Sequence, residues 1–493
     1  MSGLSATTSA LSLATASPEM FLGAAACVVL IVDLLLPEAR REASYWLTQL
    51  ALLGAAWFTL VSPDEAPVQA LSGMLVTDKL ADALKIFVYL SASLTLFYSR
   101  GYLAVRGLFR GETFVLTLTS VLGMMVMISA ASFVTLYLGL ELMSLSLYAL
   151  IALQRDSARA VEAAMKYFVL GAIASGLLLY GMSMLYGATG TLSIAGAADA
   201  IVSGRGNGVI LVFGLVFVVS AIAFKIGAVP YHMWIPDVYD GAPTAVTLFV
   251  GSAPKLAAFA FAIRLLVGSL SALAIDWQGM LVVLCVLSMV LGNVVAIAQT
   301  SIKRMLAYST IANMGFMLLG FLSVIGDGSR TTLDGYSAAM FYTVTYVLTT
   351  LVSFGIVMLL SREGFEADRL DDFRGLNQRS PWYAFMMLLA MFSLAGVPPT
   401  VGFYAKFSVI AAAVDVGLVW LAVVAVVASI VGAFYYLRIV KLMYFDDPVD
   451  TAPIDARGDT RVLLSLNGLA LLALGIYPQS LMGWCVLALN HSY

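Results

Sequence analysis

The sequence predicts an all-α polytopic membrane protein of about 14 transmembrane helices. Three observations predict it. Of 493 residues, 61% are hydrophobic and 11% are charged, whereas a soluble domain carries about 25% charged residues. Apolar runs long enough to cross a bilayer, roughly 19 residues each, recur along the whole chain. Lysines enter those runs, while arginines gather between them.

Taken in order, the runs fall near 19–36, 44–62, 80–99, 113–130, 132–153, 160–186, 208–228, 245–268, 277–299, 304–325, 337–360, 382–412, 416–444 and 462–490. The twelfth is interrupted by AGVPPTVG, and the last has a weaker break at Tyr477 and Pro478. Arg40, Arg41, Arg100, Arg106, Arg110, Arg155, Arg159, Lys303, Arg304, Arg362, Arg369, Arg374, Arg379, Arg457 and Arg461 occupy one set of alternating loops. The other set has Arg205 and Arg330, with Lys79 at its edge. The positive-inside rule places the first set in the cytoplasm and, with an even span count, both termini outside. The first twenty residues lack Lys and Arg, so a secretory signal peptide is not expected. The connectors 361–381 and 445–461 mix acids and bases and read as solvated.

Two stretches resemble each other, GAVPYHMW (227–234) and AGVPPTVGF (395–403). Each interrupts a span, and five spans separate them, which is the logic of an inverted repeat. Two unrelated proline kinks are the plainer alternative. The lysines do not match: Lys225 precedes its break and Lys406 follows its own.

Five of the eight lysines (Lys85, Lys166, Lys225, Lys255 and Lys406) lie inside spans. Buried lysine can lose its proton near neutrality, and arginine cannot. A path that loads and unloads protons can therefore use lysine. Glu141 sits alone in the middle of SFVTLYLGLELMSLSLYALIAL, and an intramembrane acid implies a functional site with a named partner. Lys166 and Lys225 are the candidate partners. Counting back from the shared turn puts Lys166 at a depth similar to Glu141. A buried pair that only fixes helix packing is the alternative. His232, just past the break, is a candidate proton relay or a capping residue. Arg264 and Arg438 lie close enough to helix ends to snorkel, and Lys85 lies near the start of its span, where it can do the same. Tyr308, Ser309, Thr310 and Asn313, with Tyr342, Tyr346 and Thr349 on the next span, form polar stripes. Such stripes hold water between titrating groups or bind helices together.

Three lone cysteines and two histidines make no metal, haem or iron–sulfur spacing, and no phosphate-binding glycine loop occurs. Redox chemistry, if any, is therefore expected in another subunit. Nucleic-acid binding has no support.

The motifs GLELMSLSLYAL, EAAMKYFVLGA, FKIGAVPYHMWIPDVYDGAPT, APKLAAF, TSIKRMLAYSTIANMGF and LAGVPPTVGFYAKF resemble the antiporter-like subunits of bacterial respiratory NADH–quinone oxidoreductase (complex I), in family order over roughly residues 80–445. Lys406 stands where one sister subunit carries glutamate, and the long lateral C-terminal helix of another is not seen here. The resemblance implies two inverted five-helix repeats, spans 4–8 and 9–13, with discontinuous helices 7 and 12. It divides the chain into an N-terminal three-helix segment (1–112), a first repeat (113–268), a second repeat (277–444) and a cytoplasmic loop with C-terminal helix (445–493). It implies proton translocation coupled to quinone reduction elsewhere. In that reading Glu141 pairs with Lys225, Lys166 modulates the pair, and His232 lies near the input. Lys255 leads to the second half, and Lys406 faces the exit. Relatives often have histidine where Asn313 stands, so water or a tyrosine has to bridge that step. The resemblance implies no cofactor in this chain. It places flavin and iron–sulfur clusters in partner subunits, antiporter-like subunit M and small subunits K and J as neighbours, and the inner (plasma) membrane as the location. An ion-translocating subunit of a multisubunit sodium/proton antiporter shares the motifs and is the alternative. A membrane enzyme acting on lipid or quinone lacks a nucleophile or metal cluster here. A passive spacer has no use for mid-depth lysines.

Overall fold

The structure, a computed structural model, describes residues 15–37, 40–61, 67–322, 331–454 and 456–492. The basic-poor stretch 1–14 and Arg330 lie outside these residues. Helices dominate. Twelve of the described helices are long and apolar enough to cross a membrane. A further 20-residue helix and one discontinuous pair complete the expected fourteen.

Three helices come first: α1 (Ser17–Leu35), α2 (Glu42–Val61) and α3 (Lys79–Val105). A short antiparallel hairpin, β1 (Val68–Ala70) and β2 (Leu75–Thr77), precedes α3 and was not expected from the sequence. Asp78 caps α3 by accepting from Ala81 N at 2.8 Å, which satisfies one of the free amides of a helix start.

Then come α4 (Gly111–Ile128), α5 (Phe133–Ile151), α6 (Ala158–Thr189), a nine-residue α7 (Ile194–Val202), and α8 (Gly208–Ile226). After a break follow α9 (Trp234–Gly241), α10 (Thr244–Gly251) and α11 (Ala253–Ala262). The second series is α12 (Ala274–Ile297), α13 (Ile302–Phe321), α14 (Thr331–Leu360), the single turn α15 (Leu376–Arg379), α16 (Pro381–Ala395), α17 (Val401–Asp415) and α18 (Val419–Phe445). α19 (Gly458–Ile476) and α20 (Gln479–Asn490) close the chain, with the expected interruption at Tyr477 and Pro478.

The two series repeat one plan. Ser132 precedes α5 and Ser301 caps α13; Gly227 ends α8 and Gly396 ends α16. The spacing is the same, 301 − 132 = 396 − 227 = 169 residues. Glycine brings the first two helices of each series into backbone contact. A Cβ on Gly123 would lie 2.4 Å from Met143 N, and one on Gly292 would lie 2.6 Å from Ala312 N. Small residues serve this purpose where lipid supplies no hydrophobic drive between helices. α10, α11 and α14 are buried almost throughout and form the axis between the two series, whereas α1 and α19 expose most of their apolar surface at the rim.

Candidate functional site

The breaks place the site. α8 stops at Gly227 (φ 87°) and α16 at Gly396 (φ 84°). Both take the left-handed cap that glycine adopts without a Cβ penalty. A Cβ on Gly227 would also sit 1.9 Å from Ile235 Cδ1. Each stop leaves helix carbonyls without an intrahelical partner inside the protein, and each is met by a lysine. Lys255 Nζ donates to Ile226 O at 2.9 Å; Lys406 Nζ donates to Ala395 O at 3.1 Å and to Ser429 Oγ at 3.0 Å. Ile226 and Ala395 are equivalent positions of the repeat. The cation therefore faces the negative end of a half-helix in both series.

Lys225, Lys255 and Lys406 are all buried, at 7%, 2% and 7% exposure. Lys225 Nζ donates to Ser144 Oγ at 2.8 Å, and Ser144 donates onward to Leu140 O at 2.6 Å. Glu141, three residues before Ser144, accepts a hydrogen bond from Ser175 Oγ, which lies 3.1 Å from the Tyr137 hydroxyl. Among the described residues Glu141 and Lys225 form no direct ion pair. They line one cavity of ≈ 10 Å³ together with Ser144, Tyr148 and Ser175, enough for about one water.

Aromatic rings separate the cations. Tyr167 and Trp234 stack at 4.4 Å; Lys225 lies 6.0 Å from the Tyr167 centroid and Lys255 lies 5.3 Å from that of Trp234. Trp234 Nε1 donates to Phe224 O at 3.0 Å, which ties the ring to α8. The second series repeats the device: Lys406 lies 4.8 Å from the Phe316 ring, which stacks on Tyr342 at 6.2 Å. An aromatic ring thus stands beside each of the three buried lysines.

The polar stripes converge in the second series. Tyr342 donates to Asn313 Oδ1 at 2.6 Å, and Asn313 Nδ2 donates to Ser309 O at 2.8 Å and Tyr436 OH at 3.3 Å. Tyr346 donates to Thr310 at 2.7 Å, and Thr349 lies 3.0 Å from Ser393 Oγ. A second cavity of ≈ 10 Å³ runs among Asn313, Tyr342, Tyr346, Thr349 and Ser393, beside the helix that carries Lys406.

Three expectations change. Lys166 does not approach Glu141; its ammonium lies 2.8 Å from Asp237 and 2.7 Å from Glu162, with 43% of the side chain exposed. α6 has 32 residues against 19 in α5, so it overshoots the turn, and Ser175 meets Glu141 instead. Arg264 is not at the interface but makes a buried bidentate pair with Asp78 at 2.6 and 2.8 Å. Lys85 is 1% exposed and pairs with Glu19 at 2.5 Å. His232 is half-buried, its Nδ1 enclosed without a hydrogen-bond partner, and it lines neither small cavity.

Other residues escaped the sequence reading. Lys303, assigned to a loop, is buried and donates to Ala242 O at 3.0 Å. Glu366, in a connector expected to be solvated, accepts from Thr244 Oγ1 at 2.5 Å and Tyr102 at 2.9 Å and pairs with Arg106 at 2.5 Å. It sits at the start of α10, where a helix favours an anion. Burial alone would raise its pKa, but Lys303, Thr244 and Arg106 together hold it below the usual carboxylate value. Among the described residues no group of three His, Cys, Asp or Glu is placed to hold a metal ion.

The family model described as "NADH:quinone oxidoreductase/Mrp antiporter, TM" matches residues 130–432. The chain is 60% identical over 480 residues to NADH-quinone oxidoreductase subunit N of Thiobacillus denitrificans, covering 97% of this chain and 98% of that protein. The chain belongs to the NADH-quinone oxidoreductase subunit N family. In respiratory complex I from Thermus thermophilus with bound aureothin, a chain 32% identical superposes with a TM-score of 0.78, covering 94% of this chain and 98% of that one. A chain of the Mrp complex from Dietzia shares the fold, with a TM-score of 0.79 at 23% identity and coverage of 99% and 98%.

Proposed function

We propose that this chain moves protons across the membrane as the antiporter-like subunit N of a bacterial NADH–quinone oxidoreductase, coupled to quinone reduction in other subunits. The observation that carries the reading is the pair of buried lysines, Lys255 and Lys406, on equivalent carbonyls of two broken helices. A proton enters the first half near the Glu141–Ser144–Lys225 cavity. Lys225 passes it to Lys255 when water rearranges around the Tyr167–Trp234 stack. The hydroxyls about Asn313 and Tyr346 then lead it toward Lys406, the exit. Asn313 cannot accept a proton on its amide, so the Tyr342, Tyr346 and Tyr436 hydroxyls, with water, carry that step. Lys166, held by Asp237 and Glu162, acts on the first half from the edge. His232 serves the input side.

The arginine-rich loops face the cytoplasm, with both termini outward. Residues 1–112, 113–268, 277–444 and 445–493 act as an N-terminal segment, two repeats and a C-terminal unit. Other complex I subunits are the partners, with subunits M, K and J as neighbours. Flavin and iron–sulfur clusters belong to partner subunits, and the complex lies in the inner membrane. The 60% identity to a subunit N protein, against 23% to the Mrp chain, favours this reading over a sodium/proton antiporter.

Glu141→Gln tests the entry. In inverted membrane vesicles with the complex fully assembled, NADH-driven pumping should fall at least severalfold, because a neutral amide removes the charge facing Lys225. Wild-type pumping would make Glu141 a packing residue.

A further inference from the structure

Away from the relay, a cavity of ≈ 420 Å³ opens where three spans end. Arg106 follows the last residue of α3, Arg362 lies two residues past the end of α14, and Arg457 immediately precedes α19. All three line the cavity. Three arginines from segments distant in sequence thus line one cavity beside the ends of candidate spans. Val105 and Leu359 provide apolar wall, with Val105 51% exposed.

The arginines are only partly neutralised within the protein. Arg106 uses one terminal nitrogen on Glu366, while its Nη1 is buried with no hydrogen-bond partner. Arg457 is 50% exposed, and its contact to Asp459 is long at 3.7 Å. Arg362 pairs with Asp450 at 2.5 Å but keeps 45% exposure. Glu363 is the one acid lining the cavity among the described residues. Arginine forks match the oxygens of a phosphate, and basic recesses between membrane helices suit anionic headgroups.

We propose that this cavity binds the phosphate of an anionic phospholipid, with the acyl chains leaving along Val105 and Leu359. A lipid is favoured over an acidic peptide because the arginines stand at the span ends beside an apolar wall of exposed Val105 and part-exposed Leu359.

The test uses the purified, delipidated complex in detergent, titrated with short-chain phosphatidylglycerol and read by native mass spectrometry. The wild type should show one tight site that Arg362→Gln/Arg457→Gln loses. At about 1 kcal/mol per arginine near a membrane surface, each removal weakens binding about fivefold. Glu363→Gln should tighten the same site, and it leaves every arginine in place if the double variant fails to assemble. Phosphatidylcholine should not fill it. Equal phosphatidylglycerol binding by wild type and double variant, or an unchanged affinity in Glu363→Gln, overturns the proposal. Inorganic phosphate binding as tightly as the lipid would make it a free-anion site and also overturn it.

Discussion

The two breaks share a plan and differ in their equipment. At the first, Lys255 reaches Ile226 O from the following span, and a second lysine, Lys225, stands on the broken helix itself. At the second, Lys406 reaches Ala395 O from its own half-helix, helped by Ser429, and the position equivalent to Lys225 is Leu394. The partner helices differ in the same sense. Glu141 and Ser144 of the first series correspond to Thr310 and Asn313 of the second, at the shared offset. The first half is thus a site of interacting charges, and the second is a hydroxyl network serving one cation. Charge pairs respond strongly to distant perturbation because their interaction is long-ranged in a dry interior. Hydroxyl networks conduct without storing charge. The asymmetry suits a chain that receives an electrostatic signal on one side and releases a proton on the other.

Several substitutions sharpen or break this comparison. The largest effect belongs to Lys406→Met. No second lysine lies at that break, so vesicle pumping should fall by more than tenfold, whereas Lys255→Met, with Lys225 still present, should leave measurable activity. Equal losses would erase the distinction. Next are the two capping glycines. Gly227→Ala meets Ile235 Cδ1 at 1.9 Å, whereas Gly396→Ala meets Lys406 Cδ at 2.9 Å. Thermal unfolding of the complex should show the greater loss for Gly227→Ala, roughly 1–3 kcal/mol for a strained backbone. Pumping should suffer disproportionately in Gly396→Ala, because the residue that gives way is the lysine.

Smaller still is Tyr342→Phe. It removes the 2.6 Å hydrogen bond to Asn313, worth about 1 kcal/mol, so pumping should fall about fivefold with assembly intact. An unchanged rate would assign proton passage to the Tyr346–Thr310 side. The mildest change concerns Glu366→Gln, outside both breaks. It should lower the stability of the complex near neutral pH by about 1–2 kcal/mol. The pKa of Glu366 is depressed on folding, so its contribution is present above the ordinary carboxylate value and is lost as pH falls through the folded value. The gap between wild type and Glu366→Gln in thermal shift should therefore close in acid and stay open at pH 7.

Span count, both interruptions and the buried Lys225, Lys255 and Lys406 were legible because each is written locally. Length and apolarity define a span, Gly and Pro define a break, and a cation in an apolar run is conspicuous. Partnership was less legible. Whether Lys166 or Ser175 meets Glu141 depends on how far α6 overshoots its turn, which no local pattern records. Glu366 looked like a loop acid because its destination at Thr244 lies more than a hundred residues away. Tyr167 and Trp234 stood inside the quoted motifs, yet their stacking between two lysines follows only from the approach of α6 to α9. The equivalence of Lys255 and Lys406 was hidden for a related reason. The lysines do not occupy matched positions; the repeat keeps the carbonyl and lets the cation arrive from different helices.

The central claim is that the buried lysines exchange protons rather than pin helices. Arginine preserves charge and much of the bulk but does not release its proton. Proton pumping by Lys225→Arg and Lys406→Arg complexes, followed with a pH-sensitive dye in membrane vesicles during NADH oxidation, tests this most directly. The account predicts assembled complexes that pump as poorly as the corresponding methionine variants; wild-type pumping by both arginine variants would contradict it.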